Sequence, residues 1–81
     1  MSAPTAKAVC EYIVRQIVDH PEEVEVMVSE RDSAVRLDVT VADGDMGRVI
    51  GKRGRVATAI RTIVRAAGAR DDAEIEVEFV D

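Results

Sequence analysis

Four residues near the middle of the chain, Gly51-Lys52-Arg53-Gly54, set two glycines around two cations. Glycine turns through backbone angles that a Cβ disfavours, and it lets a second backbone come close. An amphipathic run follows, so a helix would begin at this loop with its free N–H groups and dipole facing whatever docks there. Close approach, N–H donors and two mobile cations together suit a phosphodiester backbone. Val49 and Ile50 precede the loop and would line an apolar groove for unstacked bases, and Arg48 and Arg55 would add charge on either side. Single strands are read by this combination of clamped phosphates and splayed bases.

The charge distribution singles out the same stretch. The chain is acidic, with a formal net charge of −5 and 11 cations against 16 carboxylates. Seven cations (Arg48, Lys52, Arg53, Arg55, Arg61, Arg65, Arg70) fall between Met46 and Arg70, where no carboxylate occurs. A polyanion meets local potential first, so net acidity does not exclude nucleic acid; it weakens non-specific binding. Arg61, Arg65 and Arg70 stay open between an RNA contact, a wet helix face and a protein interface.

Other chemistries find little to work with. Gly47 to Lys52 is one residue short of phosphate-loop spacing, and Arg53 stands where such a loop needs Ser or Thr for magnesium. His20 is the sole histidine, beside Pro21, where a capping or solvent role outweighs catalysis. Glu74, Glu76 and Glu78 share one strand face and read as a solvated surface rather than a metal site. Cys10, the one cysteine, excludes an internal disulfide and reads as core. No enzyme, cofactor or metal is expected. Tyr12 and Phe79 are the only aromatics, too few for a base-stacking platform. Phe79 fits the core side of a strand, and Tyr12 a partly exposed packing role.

The elements that must position the loop can be read in order. Pro4 and the stripe Ala6, Val9, Cys10, Ile13, Val14 and Ile17 predict a helix over 4–19, stopped by His20-Pro21. Residues 22–30 alternate, with Val24, Val26 and Val28 on one face, and Arg31 to Ala34 form a tight turn. Val35, Leu37, Val39 and Val41 make a second strand. Asp43 is the expected N-cap of a short helix over 44–50. A longer helix is expected over about 54–67, with Val56, Ile60, Ile63, Val64 and Ala67 inward and Gly68 as its stop. Ile75, Val77 and Phe79 alternate with glutamates in a last strand.

The order α-β-β-α-α-β predicts an α+β two-layer fold with a three-stranded mixed sheet. The first two strands pair antiparallel, the last lies parallel to the second, and the helices cover one face. The open face would carry Glu25, Asp38, Glu74, Glu76 and Glu78. Eighty-one residues suffice for one domain over 1–81, with 1–3 as a frayed tail and a small core. No apolar run is long enough for a membrane span and the start lacks signal-peptide character, so the cytoplasm is expected.

Val49-Ile50-Gly51-Lys52-Arg53-Gly54-Arg55-Val56-Ala57-Thr58-Ala59-Ile60 resembles the KH-domain signature, an apolar-Ile-Gly-x-x-Gly run followed by a helix. The element order is similar to the type II, prokaryotic form of that fold. With Asp45-Met46-Gly47-Arg48 leading in and Arg61 following, the chain from first helix to last strand resembles the small bacterial single-KH proteins of the KhpA family. The resemblance implies non-enzymatic binding of single-stranded RNA in the cytoplasm, in the manner of an RNA chaperone or post-transcriptional regulator. It assigns the backbone of about four nucleotides to Gly51, Lys52, Arg53 and Gly54, and the groove wall to Val49 and Ile50. It further implies two protein partners, a second copy of the chain and a larger KH protein with another nucleic-acid-binding domain. The alternative from a different class is a protein-interaction subunit, in which Ala59, Thr62 and Ala66 pack on a partner and RNA binding is secondary.

Overall fold

The computed structural model describes residues 3–80, in the order helix, strand, strand, helix, helix, strand. Helix α1 spans Pro4–Ile17, with proline where no backbone N–H is needed. Ala6, Cys10 and Val14, four apart, are its buried face. No side chain of α1 caps its start. The Asp71 carboxylate does so from the far side of the sequence, accepting Thr5 N–H at 3.1 Å and Ala6 N–H at 2.9 Å. Burial pushes the Asp71 carboxyl up, but these N–H bonds outweigh it and hold the group below its ordinary range.

Strands β1 (Glu25–Arg31) and β2 (Ala34–Thr40) form an antiparallel hairpin across Asp32 and Ser33. β3 (Glu74–Phe79) lies parallel to β2, which is therefore central. The pleat sends Val26, Val35, Leu37, Val39, Ile75 and Val77 into the core, while the alternate residues face outward. Val28, Leu37 and Val77 form one inward row across the sheet. Leu37 is fully buried, and a side chain so placed contributes about 1.5–3 kcal/mol. Helices α2 (Met46–Ile50) and α3 (Arg55–Gly68) complete the second layer, with α1 against α3. The fold is the α+β arrangement with a three-stranded mixed sheet that the periodicity predicts.

Several boundaries move, each for a local reason. α1 stops at Ile17 rather than 19, because Val18 turns extended and buries its side chain. Pro21–Glu23 form a 3-10 turn, so β1 begins at Glu25 rather than 22. Asp43 is exposed and caps nothing; α2 starts at Met46, after Asp45. Gly68 is no left-handed stop. Its φ is −63°, and Asp72, at φ 54°, ends the turn beyond it. Glycine is needed at 68 because a Cβ there would overlap the Ile75 side chain, which β3 brings against the helix. The buried stripe of α3 is Ala57, Ile60, Val64 and Gly68, leaving Ile63 49% exposed. Of residues 1–3, expected as a tail, 1 and 2 lie outside the described residues. Ala3 is buried and its carbonyl accepts Lys7 N–H at 2.9 Å.

Candidate nucleic-acid interface

The corner between α2 and α3 is built almost entirely from left-handed backbone. Gly51 has φ 74°, ψ 175°, a combination essentially restricted to glycine. Arg53 (φ 59°) and Gly54 (φ 72°) are both left-handed. Two backbone bonds close the turn, Gly51 N–H to the Gly47 carbonyl at 2.9 Å and Gly54 N–H to the Gly51 carbonyl at 3.1 Å. A left-handed arginine costs on the order of 1–2 kcal/mol, so the surrounding bonds must hold it there.

The two glycines answer different constraints. A Cβ at Gly51 would overlap Val56, lying 2.8 Å from the Val56 Cβ, so the position is closed. At Gly54 a Cβ would meet nothing within 4 Å, so the space beside it is open to another chain. Lys52, Arg53 and Arg55 are exposed and carry no ion pair among the described residues. Arg48 is exposed too, but its Nε donates to Asp19 Oδ2 at 3.1 Å. With both partners exposed that pair is weak, and the carboxylate would have to be displaced or tolerated by an incoming phosphate.

Two positions expected in the groove wall differ in kind. Val49 is fully buried and belongs to the core, while Ile50 is half-buried. A one-turn helix shows no periodicity to separate them, and only Ile50, with half-buried Val56, offers apolar surface beside the loop. Arg61 is also settled: its Nε donates to the Val77 carbonyl at 3.1 Å and its guanidinium lies 5.3 Å from the centre of the Phe79 ring. It seals the outer edge of β3 rather than standing free, and Phe79 beneath it is half-buried. Arg65 and Arg70 are exposed.

A second group of residues, not read as functional from the sequence, anchors α2. Asp45 is the one buried charged residue among the described residues, 2% exposed. Its Oδ2 accepts the His20 backbone N–H at 3.1 Å and sits 3.1 Å from His20 Nδ1. Burial alone would raise the Asp45 carboxyl, but the His20 ring and the backbone N–H groups of His20 and Asp19 hold it below its ordinary range. The hydrogen bond and charge of Asp45 in turn raise the His20 imidazole, with Glu22 and Glu23 adding to it. The only sequence signal for this pair is that His20 follows the first predicted helix and Asp45 falls in the first turn of the short one.

Cys10 is buried in α1, and burial first, then Glu11, pushes its thiol up to about 11, which makes it inert core. No group of three or more His, Cys, Asp or Glu among the described residues is placed to hold a metal ion. No described helix is long and apolar enough to cross a membrane.

Comparison with known proteins places the chain. The family model described as KhpA/KhpB, KH domain, matches residues 7–79. A protein named RNA-binding protein KhpA from Listeria monocytogenes is 46% identical over 69 residues, 85% of this chain and 91% of the relative. Proteins of the same name from Bacillus subtilis and Clostridium acetobutylicum are 43% and 40% identical. They cover 86% and 91% of this chain, and 86% and 99% of their own lengths. No solved structure matches the chain significantly.

Proposed function

The chain belongs to the KhpA/KhpB KH-domain family, and on that premise we propose that it binds single-stranded RNA, without catalysis, at the Gly51–Gly54 corner. Gly51 fixes the turn and Gly54 leaves room for the sugar-phosphate backbone. Lys52 and Arg53 hold phosphates across about four nucleotides, Arg55 and Arg48 add nearby charge, and Ile50 forms the exposed part of the groove wall. The observation that carries the reading is the combination of open space at Gly54 with exposed, unpaired cations on both sides of it. Relatives named as RNA-binding proteins support the choice of polymer. In this reading the protein works in the cytoplasm as an RNA chaperone or post-transcriptional regulator.

The test is Lys52→Asp with Arg53→Asp, titrated with a short mixed single-stranded RNA. Both side chains are solvated, so thermal stability stays close to the parent's. Affinity falls by more than about tenfold, since hydrogen bonds to charged groups contribute about 1.5–3 kcal/mol each. The log–log salt slope shrinks by about 0.7 for each phosphate that the variant no longer neutralises. Unchanged binding by the folded variant would place the RNA elsewhere.

One observation favours an additional role in self-association or in pairing with a larger KH protein. Ile63 is exposed on α3 beside exposed Ala59, Thr62 and Ala66. The Thr62 hydroxyl donates to the Thr58 carbonyl at 3.0 Å, so its polarity is already satisfied within the helix. Pairing two weak RNA sites on such a face would raise avidity through effective concentration. Ile63→Glu should shift sedimentation toward monomer while leaving the loop intact; a parent that is monomeric at all concentrations removes the homodimer.

A further inference from the structure

The corner joins α3, a long helix packed on the core, to α2, a single turn held by buried Val49 and by contacts at its start, so what holds the start of α2 bears on where the loop sits. Asp19 and His20, at the exit of α1, grip the first turn of α2 twice: His20 on Asp45, and Asp19 on Arg48 one turn further along. The two grips are reciprocal in charge, cation to anion and anion to cation. They differ in exposure. The Asp19–Arg48 pair is open on both sides, whereas Asp45 is buried and the His20 ring is half out in solvent, with 51% of its side chain exposed. Asp45 also joins α2 through its carbonyl, which accepts Arg48 N–H at 3.0 Å, and its own N–H reaches the Ala42 carbonyl at 3.0 Å. A buried carboxylate keeps its charge only while donors face it. Its ring donor is the one side chain in the protein that ordinarily titrates near neutrality.

We infer that His20 is a positioning residue for the loop: its charged ring on Asp45 fixes the start of α2, and loss of that charge loosens the Gly51–Gly54 corner and weakens RNA binding. The inference rests on the proposed loop function for its RNA arm and on geometry alone for its structural arm. The charged groups facing His20 are Asp45 from the start of α2 and Glu22 and Glu23 from the following 3-10 turn, all of which favour the imidazolium. The Asp19–Arg48 pair stands beside the grip. The His20 imidazole is raised above its ordinary 6.5, so the ion pair is complete below about 6.5 and its charge is lost as pH rises through the raised value, which leaves Asp45 the His20 backbone N–H and a neutral ring. Asp45 is held below 3.8, so the grip is lost again only in strong acid.

The experiment follows backbone amides 46–54 by NMR in the free protein from pH 5.5 to 8.5. The His20 ring is read in the same samples. The loop amides should move with the ring's own midpoint, and they should stay still in Asp45→Asn, which keeps an acceptor for the His20 backbone N–H but not the charge. His20→Gln should abolish the movement as well. In the RNA arm, at constant ionic strength, the parent should lose affinity several-fold across this range while both variants bind with a flat profile.

Loop amides that ignore the His20 titration would overturn the inference whatever RNA does. A pH profile kept in Asp45→Asn would also overturn it, by showing that the His20 charge acts on RNA directly. If the amides follow His20 but no RNA binds at any pH, the grip stands and the proposed function fails.

Discussion

Two surfaces of this small domain, the α2–α3 corner and the open face of the sheet, are both solvent-exposed and oppositely made. The corner has left-handed backbone at Gly51, Arg53 and Gly54, and its cations Lys52, Arg53 and Arg55 have no acidic partner among the described residues. The sheet face has relaxed extended backbone and carboxylates arranged by register, with Asp38 beside Glu78 and Arg36 beside Glu76. The ion pair on that face, Arg36 Nε to Asp38 Oδ1 at 2.7 Å, is internal to β2. The corner accepts strain to hold a geometry, as the proposed RNA contact would require. The sheet face holds no strained geometry, and its carboxylates discourage edge and face association.

The contrast is tested most severely at the glycines. Gly51→Ala places a Cβ in a glycine-only region of backbone space and into Val56. Strain of about 1–3 kcal/mol adds to overpacking of similar size. In urea the variant should therefore lose a large share of the stability of a domain this small. Gly54→Ala incurs only the left-handed cost, about 1–2 kcal/mol, because its Cβ enters open space. That open space is where the RNA backbone would lie, so Gly54→Ala should lose more affinity relative to its stability loss than Gly51→Ala does. Equal ratios in the two variants would mean that the space beside Gly54 is not used.

Sequence reading recovers what is local. Alternation marks the strands, three- and four-residue spacing marks the long helices, and the Gly-x-x-Gly spacing marks the corner, because each signal lies within one element. What it misses depends on partners far away in sequence. Asp71 caps α1 across 65 and 66 residues, and Asp45 meets His20 across 25. No window over either residue contains its partner. Asp43 looks like the cap because it has the right type in the right place, yet the chain begins α2 two residues later and turns Asp45 inward. Gly68 has the same origin: its need for glycine comes from Ile75 on β3, not from its own backbone angle. The exposure of Ile63 and the burial of Ala57 follow from which side of α3 the sheet and α1 occupy, a choice that periodicity narrows to a stripe but does not centre.

The smallest expected effect lies on the sheet face and tests whether the two surfaces act independently. Glu78 sits beside Asp38 in register, like charge next to like charge, so Glu78→Gln should leave stability unchanged or raise it by about 0.2–1 kcal/mol. Adding Glu76→Gln removes the neighbour of Arg36 and should cancel part of that gain. Neither change touches the corner. Glu76 and Glu78 lie on the outward face of the sheet, and exposed charges farther apart than the Debye length, about 8 Å at physiological salt, are largely screened from one another. RNA affinity of the double variant should then match the parent within about twofold at physiological salt, and rise only in dilute buffer, where the acidic face repels a polyanion from any side. A large gain at physiological salt would mean that repulsion from the sheet steers the RNA, and the corner would then owe its selectivity to the acidic face as much as to its own cations.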